Sequence, residues 1–109
     1  MAEELHRRAP FERRAGSPTL TEEEAAGLDG QVDPAWRREG STLRRRFEFG
    51  TFSQAFAFAT RLALLAEKHG HHPDLSVGWG YAEAAFTTHS VGGLTENDYI
   101  MAARIDRLA

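Results

Sequence analysis

The sequence has no cysteine among its 109 residues. This absence excludes disulfide bonds, thiolate nucleophiles and cysteine-ligated zinc or iron–sulfur centres. Long apolar runs are missing too, since no stretch approaches the roughly 20 apolar residues of a membrane-spanning helix. The N-terminal region also lacks the apolar segment that a secretory signal carries. We therefore expect a cytoplasmic protein that has no membrane partner.

An excess of charge of one sign is also lacking. The 13 lysine and arginine residues nearly balance the 16 acidic residues, giving a net charge of −3, so the composition does not favour binding to nucleic acid. The hydrophobic fraction of 41% and the charged fraction of 27% are typical of a soluble globular protein. A chain of this length forms one small domain with a thin core, which oligomerisation would naturally supplement.

Hydrophobic periodicity separates a tail from one folded domain. Residues 1–18 mix arginine, glutamate, alanine, glycine and proline without a clear period, which predicts a flexible N-terminal tail. Residues 19–109 hold the periodic segments, in the order helix, two strands, helix, two strands, helix. With short connections, this order predicts an α+β domain: a four-stranded antiparallel sheet with three helices packed on one face.

Alternation of apolar and polar residues marks the strands. In residues 43–49, Leu43, Arg45 and Phe47 share one face, and the other two arginines of the triplet lie on the opposite face. We interpret the triplet as a solvated strand face with one arginine stem lying along apolar surface. The second pair of strands is predicted over residues 75–79 and 81–89.

Each helix is predicted to begin at a threonine that is followed, three residues later, by a side chain able to bond back to the helix start. The pairs are Thr21 with Glu24, Thr51 with Gln54, and Thr95 with Asp98. The helices are predicted to end near Leu28, Lys68 and Leu108. Gly70 can cap the second helix, and Pro73 prevents its continuation.

The second helix, predicted over residues 52–68, is apolar on more than one side. We expect a core stripe at helical spacing. Its members are Phe52, Ala55, Phe56, Ala59, Leu62, Ala63 and Ala66. Phe58 and Leu65, with Leu64 close by, lie off that stripe, which predicts a surface for a protein partner.

Three of the five histidines lie within the stretch EKHGHHPD, residues 67–74. His69 fits a helix end, where an imidazole favours the helix dipole. His71 and His72 are compatible with helix capping, with proton transfer near neutral pH, or with a metal site, since histidine-rich tracts bind metals. No acidic residue or further histidine has an obvious metal-ligand spacing, so a metal site is the least favoured reading. His89, taken alone, fits a hydrogen-bonded structural histidine.

The chain resembles the pterin-4a-carbinolamine dehydratase family from about Leu20 to Leu108. Three parts of the sequence carry the resemblance. They are a tryptophan, the stretch LRRRFEFGTFSQAFAFATRLALLAEKHGHHPD that follows it, and the later stretch TTHSVGGLTENDYIMAARID. The resemblance implies a four-stranded sheet with helices on one side, assembled as homodimers or homotetramers. The implied activity is dehydration of 4a-hydroxytetrahydropterin to quinonoid dihydropterin, without metal or organic cofactor.

The resemblance also assigns residues. It implies that His71 and His89 transfer protons and that His72 orients or binds the pterin, the three together forming the catalytic set. Further residues match positions of the family's pterin pocket or lie beside them. These are Gly70, Pro73, Thr87, Thr88, Ser90 and Asp98. For Asp98, capping of the last helix and a place beside the histidines are both open.

Some members of this family have functions other than catalysis, so a second function is open for this chain. Some act as dimerisation cofactors of a transcription factor, and others assist Rubisco assembly in plastids and in carboxysome-containing bacteria. The wording VGGLTEND and HHPDL is closer to bacterial and plastid members than to animal ones, in which a tryptophan takes the place of Leu75. The resemblance therefore also predicts, as an alternative, a non-enzymatic assembly factor with Rubisco subunits as clients.

Overall fold

The computed structural model describes residues 4–13 and 15–109. A single turn of 3-10 helix, Leu5–Arg7, precedes the domain. The elements that follow are α1 (Glu22–Asp29), β1 (Arg37–Glu39), β2 (Thr42–Glu48), α2 (Phe52–His69), β3 (Asp74–Gly78), β4 (Tyr81–Phe86) and α3 (Glu96–Asp106). None of the helices in these described parts is both long and apolar enough to cross a bilayer.

The four strands form one antiparallel sheet in the order β1-β2-β4-β3. On one face, Leu43 lies opposite Phe86 and Phe47 lies opposite Ala82, and all four side chains are buried in the core. Side chains of α2 and α3 complete this core. The predicted α+β class, with a four-stranded antiparallel sheet and three helices, is confirmed.

The arginine triplet of β2 divides between the two faces as its alternation predicts. Arg45 lies on the core side, with its guanidinium 4.3 Å from the centroid of the Phe47 ring and its Nη1 bonded to Asp106 Oδ1 at 2.7 Å. Arg44 and Arg46 lie on the open face, where Arg44 pairs with two glutamates and Arg46 with one. The predicted arginine stem along apolar surface is therefore that of Arg45.

Strand β4 is shorter than the sequence predicts. It ends at Phe86 instead of continuing through His89. The chain turns because Thr88 forms an isolated antiparallel bridge with Gly93, and residues 89–91 form one 3-10 turn closed by Gly92 at φ 73°. The strand pattern of the sequence continues past Phe86, but Gly92 and Gly93 let the chain reverse direction before His89 can join the strand.

Helix α2 runs one residue further than predicted, to His69, and Gly70 ends it in the left-handed conformation at φ 66°. Its capping box is incomplete. Thr51 accepts a hydrogen bond from the Gln54 backbone, but the Gln54 side chain accepts from Gly50 instead of from Thr51.

The predicted partner surface on α2 is wrong at Phe58, although Leu64 is exposed as predicted. Phe58 is only 5% exposed and packs against the rings of Phe47 and Phe49 at centroid distances of 4.6 and 5.3 Å. Phe52 and Phe56, assigned to the core, are 47% and 54% exposed. The helix offers two apolar sides of similar strength, and the aromatic rings at the end of β2 select the one that carries Phe58.

The N-terminal segment lies on the domain. Leu5 is 3% exposed and belongs to the core cluster, although the sequence predicts a flexible tail there. Flexibility of residues 1–18 stays a prediction, and the part of it that concerns residues 1–3 and 14 lies outside the described residues.

His69 is buried at one end of its ring. Its Nε2 is enclosed without a hydrogen-bond partner among the described residues. Burial lowers the pKa of His69, and the positive charges of Arg104 and Lys68 lower it further. His69 is the last residue of α2, as the sequence predicts, and its lowered pKa favours the neutral ring.

We expect His69 to make stability depend on pH. In the unfolded chain an imidazole titrates near a pKa of about 6.5, whereas the folded pKa lies lower. Between these two pKa values the unfolded chain binds more protons than the folded chain. The contribution of a neutral His69 to the free energy of unfolding is therefore fully present above about pH 6.5, and it is lost as the pH falls towards the folded pKa. Urea unfolding of the wild type and of His69→Gln at pH 7.5 and pH 5.5 tests this. The wild type should lose more stability than the variant, and an equal loss would contradict it.

Candidate active site

A cleft of about 220 Å³ lies between the turn after α2 and the loop after β4. Most of the predicted site residues line it: Gly70, His71, His72, Thr87, Thr88, His89 and Ser90. Asp98, the eighth, lies behind His71 and is bonded to it. Pro73 is not among the lining residues and follows the histidines directly in the turn. Two segments that are far apart in sequence thus meet at one cleft.

Three contacts hold His71, one through its backbone and two through its ring. Its backbone N–H donates to Ala66 C=O at 3.3 Å, which Gly70 permits by reversing the chain at the helix end. The imidazole stacks on Phe86, with ring centroids 5.8 Å apart and an interplanar angle of 8°. Its Nε2 lies 2.6 Å from Asp98 Oδ1. Only 12% of this side chain is exposed, so the ring has one defined orientation.

Asp98 is fully buried, and both of its oxygens are satisfied. Oδ2 accepts hydrogen bonds from Thr88 Oγ1 and from the Thr95 backbone N–H, each at 2.9 Å. Oδ1 faces His71. A buried carboxylate requires such donors, because an unpaired buried charge costs several kcal/mol. Asp98 therefore both completes the capping box of α3 and contacts the histidine, so the two roles left open by the sequence coexist.

The bond to Asp98 also fixes the tautomer of His71. A carboxylate can only accept, so the neutral imidazole must carry its proton on Nε2 and keep a lone pair on Nδ1. If His71 takes up a second proton, the adjacent carboxylate stabilises the imidazolium. This arrangement suits a group that takes up and releases a proton at Nδ1.

The other two histidines are more exposed. His72 is directed to Glu67, with Nε2 and Oε1 2.8 Å apart, and His89 begins the 3-10 turn on the other wall of the cleft. Both rings remain accessible to solvent. The cleft thus combines one buried, paired imidazole with two accessible ones. No group of three or more histidine, aspartate or glutamate side chains in residues 4–13 and 15–109 is arranged to hold a metal ion.

Two contributors to the site have no signal as site residues in the sequence. Phe86 supplies the surface on which His71 stacks. Thr95 was predicted only as a helix cap, yet its hydroxyl also bonds the Thr88 hydroxyl at 2.8 Å. The roles of Phe86 and Thr95 depend on which strand and helix lie side by side, and no local motif encodes that. Glu67, five residues before His72, bonds its ring.

Comparison with known proteins places the geometry in a family. Residues 18–108 match the family described as pterin 4 alpha carbinolamine dehydratase. A Methylococcus capsulatus protein provisionally named a pterin-4-alpha-carbinolamine dehydratase is 47% identical, over 88% of this chain and 85% of the relative. One from Aromatoleum aromaticum with the same provisional name is 40% identical, over 100% of this chain and 98% of the relative.

Solved structures show the same fold. A transcriptional coactivator/pterin dehydratase from Brucella melitensis has a TM-score of 0.78 and 34% identity, covering 84% of this chain and 99% of that one. A pterin dehydratase-like protein identified as a RuBisCO assembly factor in the alpha-carboxysome has a TM-score of 0.58 and 36% identity, covering 69% of this chain and 89% of that one. The chain belongs to the pterin-4-alpha-carbinolamine dehydratase family.

Proposed function

We propose that this protein dehydrates 4a-hydroxytetrahydropterins in the cleft between His71 and His89. The observation that carries the proposal is the buried Asp98–His71 pair, with its 2.6 Å contact, on one wall of a cleft whose other wall carries His89. A buried carboxylate that orients an imidazole is a recurring device for proton transfer. Family membership and the names of the relatives support the choice of a pterin substrate.

The reaction requires two proton movements. The N5 proton of the pterin leaves to a base, the electrons of that bond form C4a=N5, and the C4a–O bond breaks as an acid protonates the departing hydroxyl, which leaves as water. His71 and His89 are the proposed acid and base, because they lie on the two walls of the cleft and an imidazole can both donate and accept a proton. No electrons pass to the protein, so the proposal uses no metal or organic cofactor.

The remaining cleft residues bind and orient the substrate in this proposal. His72 is exposed and held by Glu67, which suits contact with the polar pterin ring. Thr87 and Ser90 line the cleft, and their hydroxyls can donate to ring oxygens or accept from ring amino groups. Gly70 and Pro73 shape the turn that presents the histidines.

The activity is tested by stopped-flow measurement of the loss of 4a-hydroxytetrahydropterin. The wild type should accelerate this loss over buffer, and His71→Ala should lower kcat by roughly 10²- to 10⁴-fold, the usual contribution of one general acid or base. His69→Gln is the matched control, because His69 does not line the cleft, and it should stay within about 2-fold of the wild type. No acceleration by the wild type would reject the function, and a small His71→Ala effect would reject the role of that residue.

We also propose that the protein forms homodimers or homotetramers through the exposed side of α2. Phe52 and Phe56 stack on each other at 5.9 Å although both are about half exposed, and Leu64 is 66% exposed. Apolar side chains clustered on one helix mark an interaction surface. The thin core of a domain this small favours such burial.

Sedimentation equilibrium measures this association. Phe56→Glu should reduce the mass of the particle, because a carboxylate at the centre of an apolar contact is costly to desolvate. Phe11→Glu is the control, since that ring is 67% exposed on the N-terminal segment and should leave the mass unchanged. A wild type of monomer mass would reject the assembly.

A second candidate function is assistance in Rubisco assembly. Its support is the 36% identity and TM-score of 0.58 to the alpha-carboxysome assembly factor. Co-expression with Rubisco subunits should raise the yield of soluble, assembled Rubisco, and His71→Ala should leave that gain intact because the role is not catalytic. An unchanged yield would count against this function. A cytoplasmic location stays a prediction.

A further inference from the structure

The segment that precedes the family-matched region is attached to the helix that carries Asp98. The family match begins at residue 18, yet residues 5–11 lie against α3. Leu5 is inserted in the core. We call residues 5–11 the N-terminal clasp.

The clasp contacts the first turn of α3 through two side chains. Arg8 Nη1 donates to Glu96 Oε1 at 2.9 Å. Asn97 forms a pair of hydrogen bonds with the backbone of Phe11: its Oδ1 accepts from Phe11 N–H at 2.9 Å, and its Nδ2 donates to Phe11 C=O at 2.5 Å. A third contact lies two turns further on, where the Arg104 guanidinium donates to the backbone C=O of Arg8.

Asn97 shows how closely the clasp is fitted. A residue in the first turn of a helix is usually accessible, but Asn97 is 2% exposed and uses its amide group on the clasp backbone. Buried amides need such partners, because an unsatisfied one costs free energy. Glu96 and Asn97 are the two residues immediately before Asp98, so the clasp holds the part of α3 from which the carboxylate projects.

We infer that the N-terminal clasp positions Asp98 for its bond to His71. The first turn of a helix lacks internal partners for its N–H groups and frays readily. Thr88 and Thr95 hold Asp98 from the cleft side, and the clasp holds the preceding two residues. A 2.6 Å contact between a carboxylate and a ring tolerates little movement of that turn. Arg8 and Asn97 are positioning residues and do not contact the substrate.

The test reads the ring of His71 directly. In the wild type, ¹⁵N-resolved NMR of the histidine side chains should show His71 as one tautomer, protonated at Nε2. In a chain that lacks residues 1–11, and to a smaller degree in Arg8→Ala, the His71 signals should shift towards a tautomer mixture. Arg7→Ala is the matched control, because Arg7 is exposed and makes no ion pair within the described part of the chain. It should leave the signals unchanged.

Kinetics give a second readout, which rests on the proposed function. The truncated chain should lose up to about 100-fold in kcat, the scale of a misplaced catalytic group, with KM nearly unchanged because the cleft lining is intact. If the wild type lacks dehydratase activity, the proposed function fails and the NMR measurement still decides on the clasp.

The inference that the clasp positions Asp98 is rejected if the truncated chain is folded and its His71 signals equal those of the wild type. If the truncated chain does not fold, Arg8→Ala and Asn97→Ala decide, since each keeps Leu5 in the core. Unchanged His71 signals in both folded variants would overturn the inference. A shifted His71 signal in either variant, with the Arg7→Ala spectrum unchanged, supports it.

Discussion

The buried carboxylate of Asp98 is the constraint on which the site depends. It is fully enclosed, and a charge in that position is tolerated only when donors surround it. Those donors come from the chain leaving β4 (Thr88), from the start of α3 (Thr95) and from the turn after α2 (His71). Satisfying one carboxylate thus requires three separate segments to meet. The cleft lies between two of these segments, the turn after α2 and the loop after β4.

The same arrangement links stability to chemistry. The capping bond from the Thr95 backbone starts α3, and the bond to His71 fixes an imidazole tautomer. A residue that only capped the helix would have no reason to face a histidine, and a residue that only oriented the histidine could be exposed. Because the two roles share one side chain, loss of Asp98 would disturb the helix start and the site together.

The sequence predicts the site better than it predicts the surfaces around it. Local spacing left the roles of His71, His72 and His89 open, and the family resemblance singled them out; the structure brings all three to one cleft. The face of α2 is not predictable in this way. Phe56 and Phe58 have equal hydrophobicity, and the rings of Phe47 in β2 and of Phe49 just after it, which pack on Phe58, decide which of them is buried.

Other features depend on pairings that are distant in sequence. The early end of β4 follows from the bridge between Thr88 and Gly93, which a strand pattern does not reveal. The packing of Leu5 depends on a pocket made by other elements, and one leucine in a polar segment gives no signal of it. Local capping motifs were predicted well at Thr21 and Thr95, because their bonds lie within four residues.

A titration with a stable pterin analogue such as dihydrobiopterin tests the central claim most directly, because it asks whether the cleft over Asp98 is a pterin site. The NMR signals of His71, His72 and His89 should shift together and saturate with one affinity, while those of Phe52 and Phe56 on α2 stay unchanged. The absence of saturable shifts at the three histidines, or saturation confined to residues outside the cleft, would contradict it.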